Sequence, residues 1–157
     1  MAALPPGLEV VHTDDVAWWH SRFGWDDLLI TGIIEPLRLG RSVAYRPPAW
    51  DARNRPGGIT VSGDAPLVII EGVGAGRATL SRLVDALIWV QSDLDVTEDR
   101  NLAGVEAGEL DLAGHAGWMA EEVPFQAYER SWERADVVVS GTPDVDHDPD
   151  VEVVILR

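Results

Sequence analysis

The stretch LVIIEGVGAGRATLSRL, Leu67 to Leu83, decides the fold. Four apolar residues and a carboxylate run into three spaced glycines and then a segment of helix-forming residues. A strand that breaks at glycines before a helix is where a parallel α/β protein builds a phosphate-binding loop. The residues exclude that reading here. In GxxxxGK[ST], with Arg77 in the lysine's place, Gly76 fits, but Glu71 stands at the first glycine and Ala78 at the serine or threonine. A dinucleotide loop, GxGxxG, fits Gly72 and Gly74 and then needs glycine where Arg77 stands. What remains is a strand, a carboxylate at its end and a glycine-rich turn.

Working outward, strand and helix patterns alternate without an internal repeat. LEVVH (8–12) reads as a short strand leading into Asp14 and Asp15. In 25–40, Trp25, Leu28, Leu29, Ile33 and Leu37 make one helical face, Gly40 marks a C-terminal stop, and Pro36 predicts a kink or early boundary. The stretch 42–61 is rich in turn residues around short extended pieces. PLVIIEG and ALIWVQ (86–91) read as buried strands, with ATLSRLVD (78–85) as a helix between them. DVTEDRNLAG (95–104) opens a capped helix, and 115–135 is a second helical stretch with an interruption at Pro124. DVVVSG (136–141) and VEVVIL (151–156) are the last strands. Strands separated by helices predict βαβ units and a mostly parallel sheet in a single α/β domain.

Composition narrows the function. With 46% apolar and 25% charged residues the chain is an ordinary globular protein, and no run reaches the roughly 20 apolar residues of a membrane span. There is no secretory signal at the start and no cysteine anywhere, so the expected home is the cytoplasm, without disulfides, thiolate catalysis or cysteine-bound zinc. A net charge of −15 argues against nucleic acid and anionic membranes as partners. All 12 basic residues are arginine, so no lysine can form a Schiff base, act as a base or serve a phosphate loop. The four histidines are scattered without paired ligand spacing. In the tail DVDHDPDVE (144–152), a calcium loop begun at Asp144 needs glycine and glutamate where Pro149 and Ile155 stand, which leaves a solvated acidic turn.

The order of VVHTDD with its tryptophan pair, EPLRLG, LVIIEGVGAG, DALIWVQSD and WMAEEVPFQAYERSWERADVVVSG resembles the uridine kinase-like branch of P-loop nucleoside kinases, from Val10 to about Val154. The resemblance implies a parallel sheet of the P-loop kinase type with helices on both faces, and a helical lid over about 94–130. It implies that Asp14 is the base toward a substrate hydroxyl and lies near magnesium, with Asp15 beside it. Glu71 matches the acidic strand-end residue that holds magnesium. Trp50 and Arg53 match an aromatic and basic segment facing the substrate, and Arg100 a basic residue opening the lid. ATP and magnesium follow as cofactors, and a small molecule, a nucleoside among the options, as acceptor.

Departures from the family carry equal weight. Only nine residues precede Val10, where the family has its first strand and phosphate loop, and a lid arginine-aspartate pair falls on Gly104 and Val105. Phosphoryl transfer rests on positioning and on cations that stabilise charge on the phosphoryl oxygens, so this chain alone is expected to be inactive as a kinase. It reads as a kinase truncated at its start or as a non-catalytic binding or regulatory module; a magnesium-dependent hydrolase using Asp14 and Glu71 is a further alternative. The bland readings are an N-cap and first helical turn for Asp14 and Asp15, a loop cap for Glu71, and a hydrophobic cluster for Trp18, Trp19 and Trp25. In the resembled architecture the missing strand lies between LVIIEG and LIWV. These two strands are therefore expected to lack a ladder partner on one side, leaving edges open to self-association.

Overall fold

The structure, a computed structural model, describes residues 6–106 and 112–157. They gather into two compact units that divide between Leu83 and Val84. The first unit contains β1 (Leu8–His12), α1 (Thr13–Ala17), α2 (Asp26–Leu29), a π-helical segment Ile30–Ile34, α3 (Glu35–Arg38), β2 (Val43–Tyr45), α4 (Pro48–Ala52), β3 (Ile59–Val61) and β4 (Leu67–Glu71). β1 and β4 pair in parallel, from Leu8 opposite Leu67 to His12 opposite Glu71, while β2 and β3 pair antiparallel. Val11, Val16, Trp25, Leu29, Ile33, Val43, Trp50, Val61 and Leu80 form one buried cluster. The helical face expected over 25–40 supplies its centre, because Trp25, Leu29 and Ile33 recur at helical spacing.

Pro36 acts one turn earlier than a simple break would. It has no N–H to return to Gly32, and the preceding Glu35 N–H reaches back five residues to Ile30 O. A π-helical turn thus takes up the lost bond, and helix continues to Arg38.

The second unit contains β5 (Ile88–Gln91), α5 (Leu94–Glu106), α6 (Leu112–Glu129), α7 (Ser131–Arg134) and β6 (Val137–Ser140). β5 and β6 are parallel, with Ile88 opposite Val137. The far edge of β6 is taken by the tail: Val138 N–H donates to Arg157 O, Ser140 N–H to Val154 O, and Leu156 N–H back to Val138 O. Only the bridge of Val139 with Ile155 forms there, so the strand expected over 151–156 is reduced to a single bridge. Two more expectations are corrected. ATLSRLVD is a run of turns, with Leu80 and Leu83 N–H bonded three residues back, because the buried Arg77 just before it is held by side-chain contacts. α6 runs through Pro124 without interruption, forgoing the bond its missing N–H would make to Ala120. Residues 107–111 of the expected lid stretch lie outside the described residues.

The molecule is therefore mixed α/β with short parallel sheets. β4 pairs with β1 and β5 with β6, and no ladder joins β4 to β5. Both strands were expected to be buried throughout, and both alternate instead. Val68 and Ile70 pack on the core while Leu67 and Ile69 face out, and Ile88 and Val90 are 62% and 59% exposed. A two-stranded sheet covered on one side buries only every second residue of an apolar run. No helix among the described residues is long and apolar enough to cross a membrane.

Candidate functional site

The parallel register of β1 and β4 sets His12 directly opposite Glu71 at the C-terminal ends of both strands. His12 Nδ1 and Glu71 Oε1 form a short contact, and the histidine pKa is raised first by this bond. Desolvation opposes the shift, and the charges of Glu71, Asp15 and Asp14 reinforce it. Asp14 and Asp15 occupy the first turn of α1, where negative charge suits the helix dipole. No side-chain cap is made at this helix start, so neither aspartate is the N-cap that the bland reading offers. Asp14 is exposed and makes no ion pair with the described residues, whereas Asp15 pairs with Arg55.

Asp15 is committed to structure. Its carboxylate accepts from Arg55 Nη2 at 2.6 Å, and its backbone oxygen accepts from Trp50 Nε1 at 2.8 Å. Arg55 lies over the Trp50 ring at 3.7 Å and near that of Trp18 at 5.0 Å. Trp18 meets Trp50 and Trp19 edge to face at 6.5 and 6.4 Å, and Arg53 lies over Trp19 at 3.6 Å. The result is a ladder of rings and guanidinium groups from buried Trp50 to exposed Trp19. Trp25 sits in the core, so the three tryptophans grouped in the sequence as a cluster part company: core, half-buried step and exposed end.

The glycine-rich turn after Glu71 is pinned from within. Arg77, 4% exposed, pairs with Asp26 at 3.0 Å and donates to Phe23 O at 2.7 Å and Gly74 O at 3.1 Å. Its guanidinium also lies 4.1 Å from the centre of the Trp25 ring. An arginine buried and paired this way anchors the loop and does not reach for phosphate. At the start of the turn, Gly72 has φ +123°, and its Cα lies against the buried Thr13 Oγ1, which has no hydrogen-bond partner.

The structure thus brings Asp14, Asp15, Glu71, Trp50 and Arg53 into the first unit, with Glu71 at the end of β4, Asp14 in the first turn of the helix that follows β1, and Asp15 fastened to Trp50. Arg100 belongs to the second unit, exposed on α5. His12 and Arg55 were missed by sequence reading. The alternation of β1 against β4 could have flagged His12, whereas nothing local marks Arg55. Among the described residues no group of three or more His, Cys, Asp or Glu is arranged to hold a metal. No known protein family matches the chain. No curated protein matches it either.

Proposed function

We propose that the first unit is the acceptor-binding half of a P-loop kinase-like phosphotransferase site, which in this chain binds a hydroxylated small molecule without transferring phosphate. One observation carries the reading: Glu71 ends β4 opposite His12 of the parallel β1, and Asp14 follows two residues later in the first turn of α1. The C-terminal strand end is where open α/β sheets take their ligands. Exposed Asp14, with no ion pair of its own, is the group available to accept a hydroxyl proton. Asp15, tied to Arg55 and Trp50, fixes the helix turn that presents it. Glu71 and Asp14 would hold magnesium when a phosphate-bearing partner brings it, and ATP would be the donor. The absence of any lysine and of a GxxxxGK[ST] sequence supports binding without turnover.

The test is calorimetric titration with uridine, cytidine, adenosine and ribose against wild type and Asp14→Asn. Saturable binding of at least one, weakened about tenfold or more in the variant as befits a lost charged hydrogen bond, is the expected result. Binding that ignores the variant, or no binding by any of the four, contradicts the reading.

A further inference from the structure

We propose that Arg53 and Trp19 form a docking fork for the oxyanion group, phosphate or carboxylate, of a small molecule. The inference deepens the acceptor reading in one respect, the charge of the ligand, and rests on it there; anion binding by the fork stands without it. Three arginines meet in this region. Arg46 is matched by Asp51 at 2.8 Å and by the backbone oxygens of Gly57 and Arg55. Arg55 is matched by Asp15. Among the described residues the Arg53 guanidinium has no carboxylate partner and no hydrogen bond, its backbone N–H alone donating to Ala49 O, so one positive charge in the group is left over.

That charge is held in place. The Arg53 guanidinium sits 3.6 Å over the Trp19 ring, and Trp19 is braced edge to face by Trp18. A guanidinium seated on a ring uses its face, and its N–H edges stay available for a planar, two-pronged contact with an oxyanion. Trp19 itself is 65% exposed and adopts φ +53°, a left-handed conformation uncommon for a non-glycine residue. Asn54, next to Arg53, is left-handed as well at φ +54°. Both conformations belong to turns that close helices: His20 N–H donates to Ala17 O at 2.9 Å around Trp19, and Arg55 N–H to Trp50 O at 2.9 Å around Asn54, and these turns set Trp19 and Arg53 where the two side chains stack. In a chain of net charge −15, a small anion is repelled from most of the surface, so an unmatched, preoriented arginine is where one can settle.

Tryptophan emission and calorimetry with benzoate, phenyl phosphate and inorganic phosphate at low ionic strength test this. Saturable binding is expected, weakened about tenfold or more in Arg53→Gln and about two- to fivefold in Trp19→Leu. Arg53→Lys keeps the charge and loses the fork, so it recovers only part of the affinity. Arg41→Gln, which removes another exposed charge, leaves binding within about twofold of wild type. Far-UV circular dichroism confirms that each variant is folded. Equal losses in Arg53→Gln and Arg41→Gln, full recovery by Arg53→Lys, or no saturation by any probe would overturn the fork. Asp14→Asn separates the two readings, since it weakens nucleoside binding about tenfold or more and does not weaken anion binding. Anions that bind through Arg53 while nucleosides fail leave the fork standing and the acceptor reading fallen. Nucleosides that bind while Arg53→Gln changes no anion give the reverse.

Discussion

His12 is where the site's electrostatics can be read most directly. Its bond to Glu71 holds the imidazole pKa above the usual 6.5, against desolvation and with help from the charges of Glu71, Asp15 and Asp14. A group whose folded pKa is raised stabilises the fold fully below the unfolded value. That contribution is lost as pH rises through the folded midpoint. Strand-end pairing of β1 with β4 should therefore loosen above pH 6.5, and a protonated His12 should oppose any cation at Glu71 below it. Imidazole NMR titration is expected to place the His12 midpoint above 6.5 and to lower it in Glu71→Gln; a wild-type midpoint at or below 6.5 contradicts this. Asp14 and Glu71 were legible in the sequence because an acid after an apolar strand is a local pattern. His12 and Arg55 were not: one depends on the register between strands 59 residues apart in sequence, the other on a loop folding back onto α1.

At the scale of elements, the turn after β4 is held by two residues with opposite demands. Gly72 must stay without a side chain, since a Cβ there would overlap Thr13 Oγ1 and the backbone is at φ +123°. Gly72→Ala is expected to destabilise the first unit by about 2–4 kcal/mol, from strained backbone plus overpacking. Arg77→Met keeps the bulk and removes the paired charge, and should cost about 3 kcal/mol. Differential scanning calorimetry checks both, with falls in Tm on the order of 10 °C; a change within about 0.5 kcal/mol for either would show that the turn is not fixed this way. Periodicity made the core helix of 25–40 legible, because Trp25, Leu29 and Ile33 all face inward. It failed at 78–85, where tertiary anchoring by Arg77 prevails over helix propensity, and at 151–156, where an apolar alternation finds room for one bridge.

For the whole molecule, the parallel strands were legible and their surroundings were not. A continuous apolar run looks the same whether one face or both are covered, so sequence alone gave no sign that Leu67, Ile69, Ile88 and Val90 would face outward. Apolar sheet faces and unpaired parallel edges favour association between copies. Sedimentation is expected to show size growing with concentration, and Ile88→Thr with Val90→Thr to reduce it; a strictly monomeric wild type at all concentrations would contradict this. The proposed acceptor half-site has neither a lysine nor a GxxxxGK[ST] loop with which to hold a phosphate donor. Its most direct test is titration of the intact chain with magnesium-ATP, with ADP release followed in the presence of each nucleoside. No release above background and no micromolar affinity for ATP are predicted. Micromolar binding of ATP or sustained ADP release by the purified chain would contradict the account.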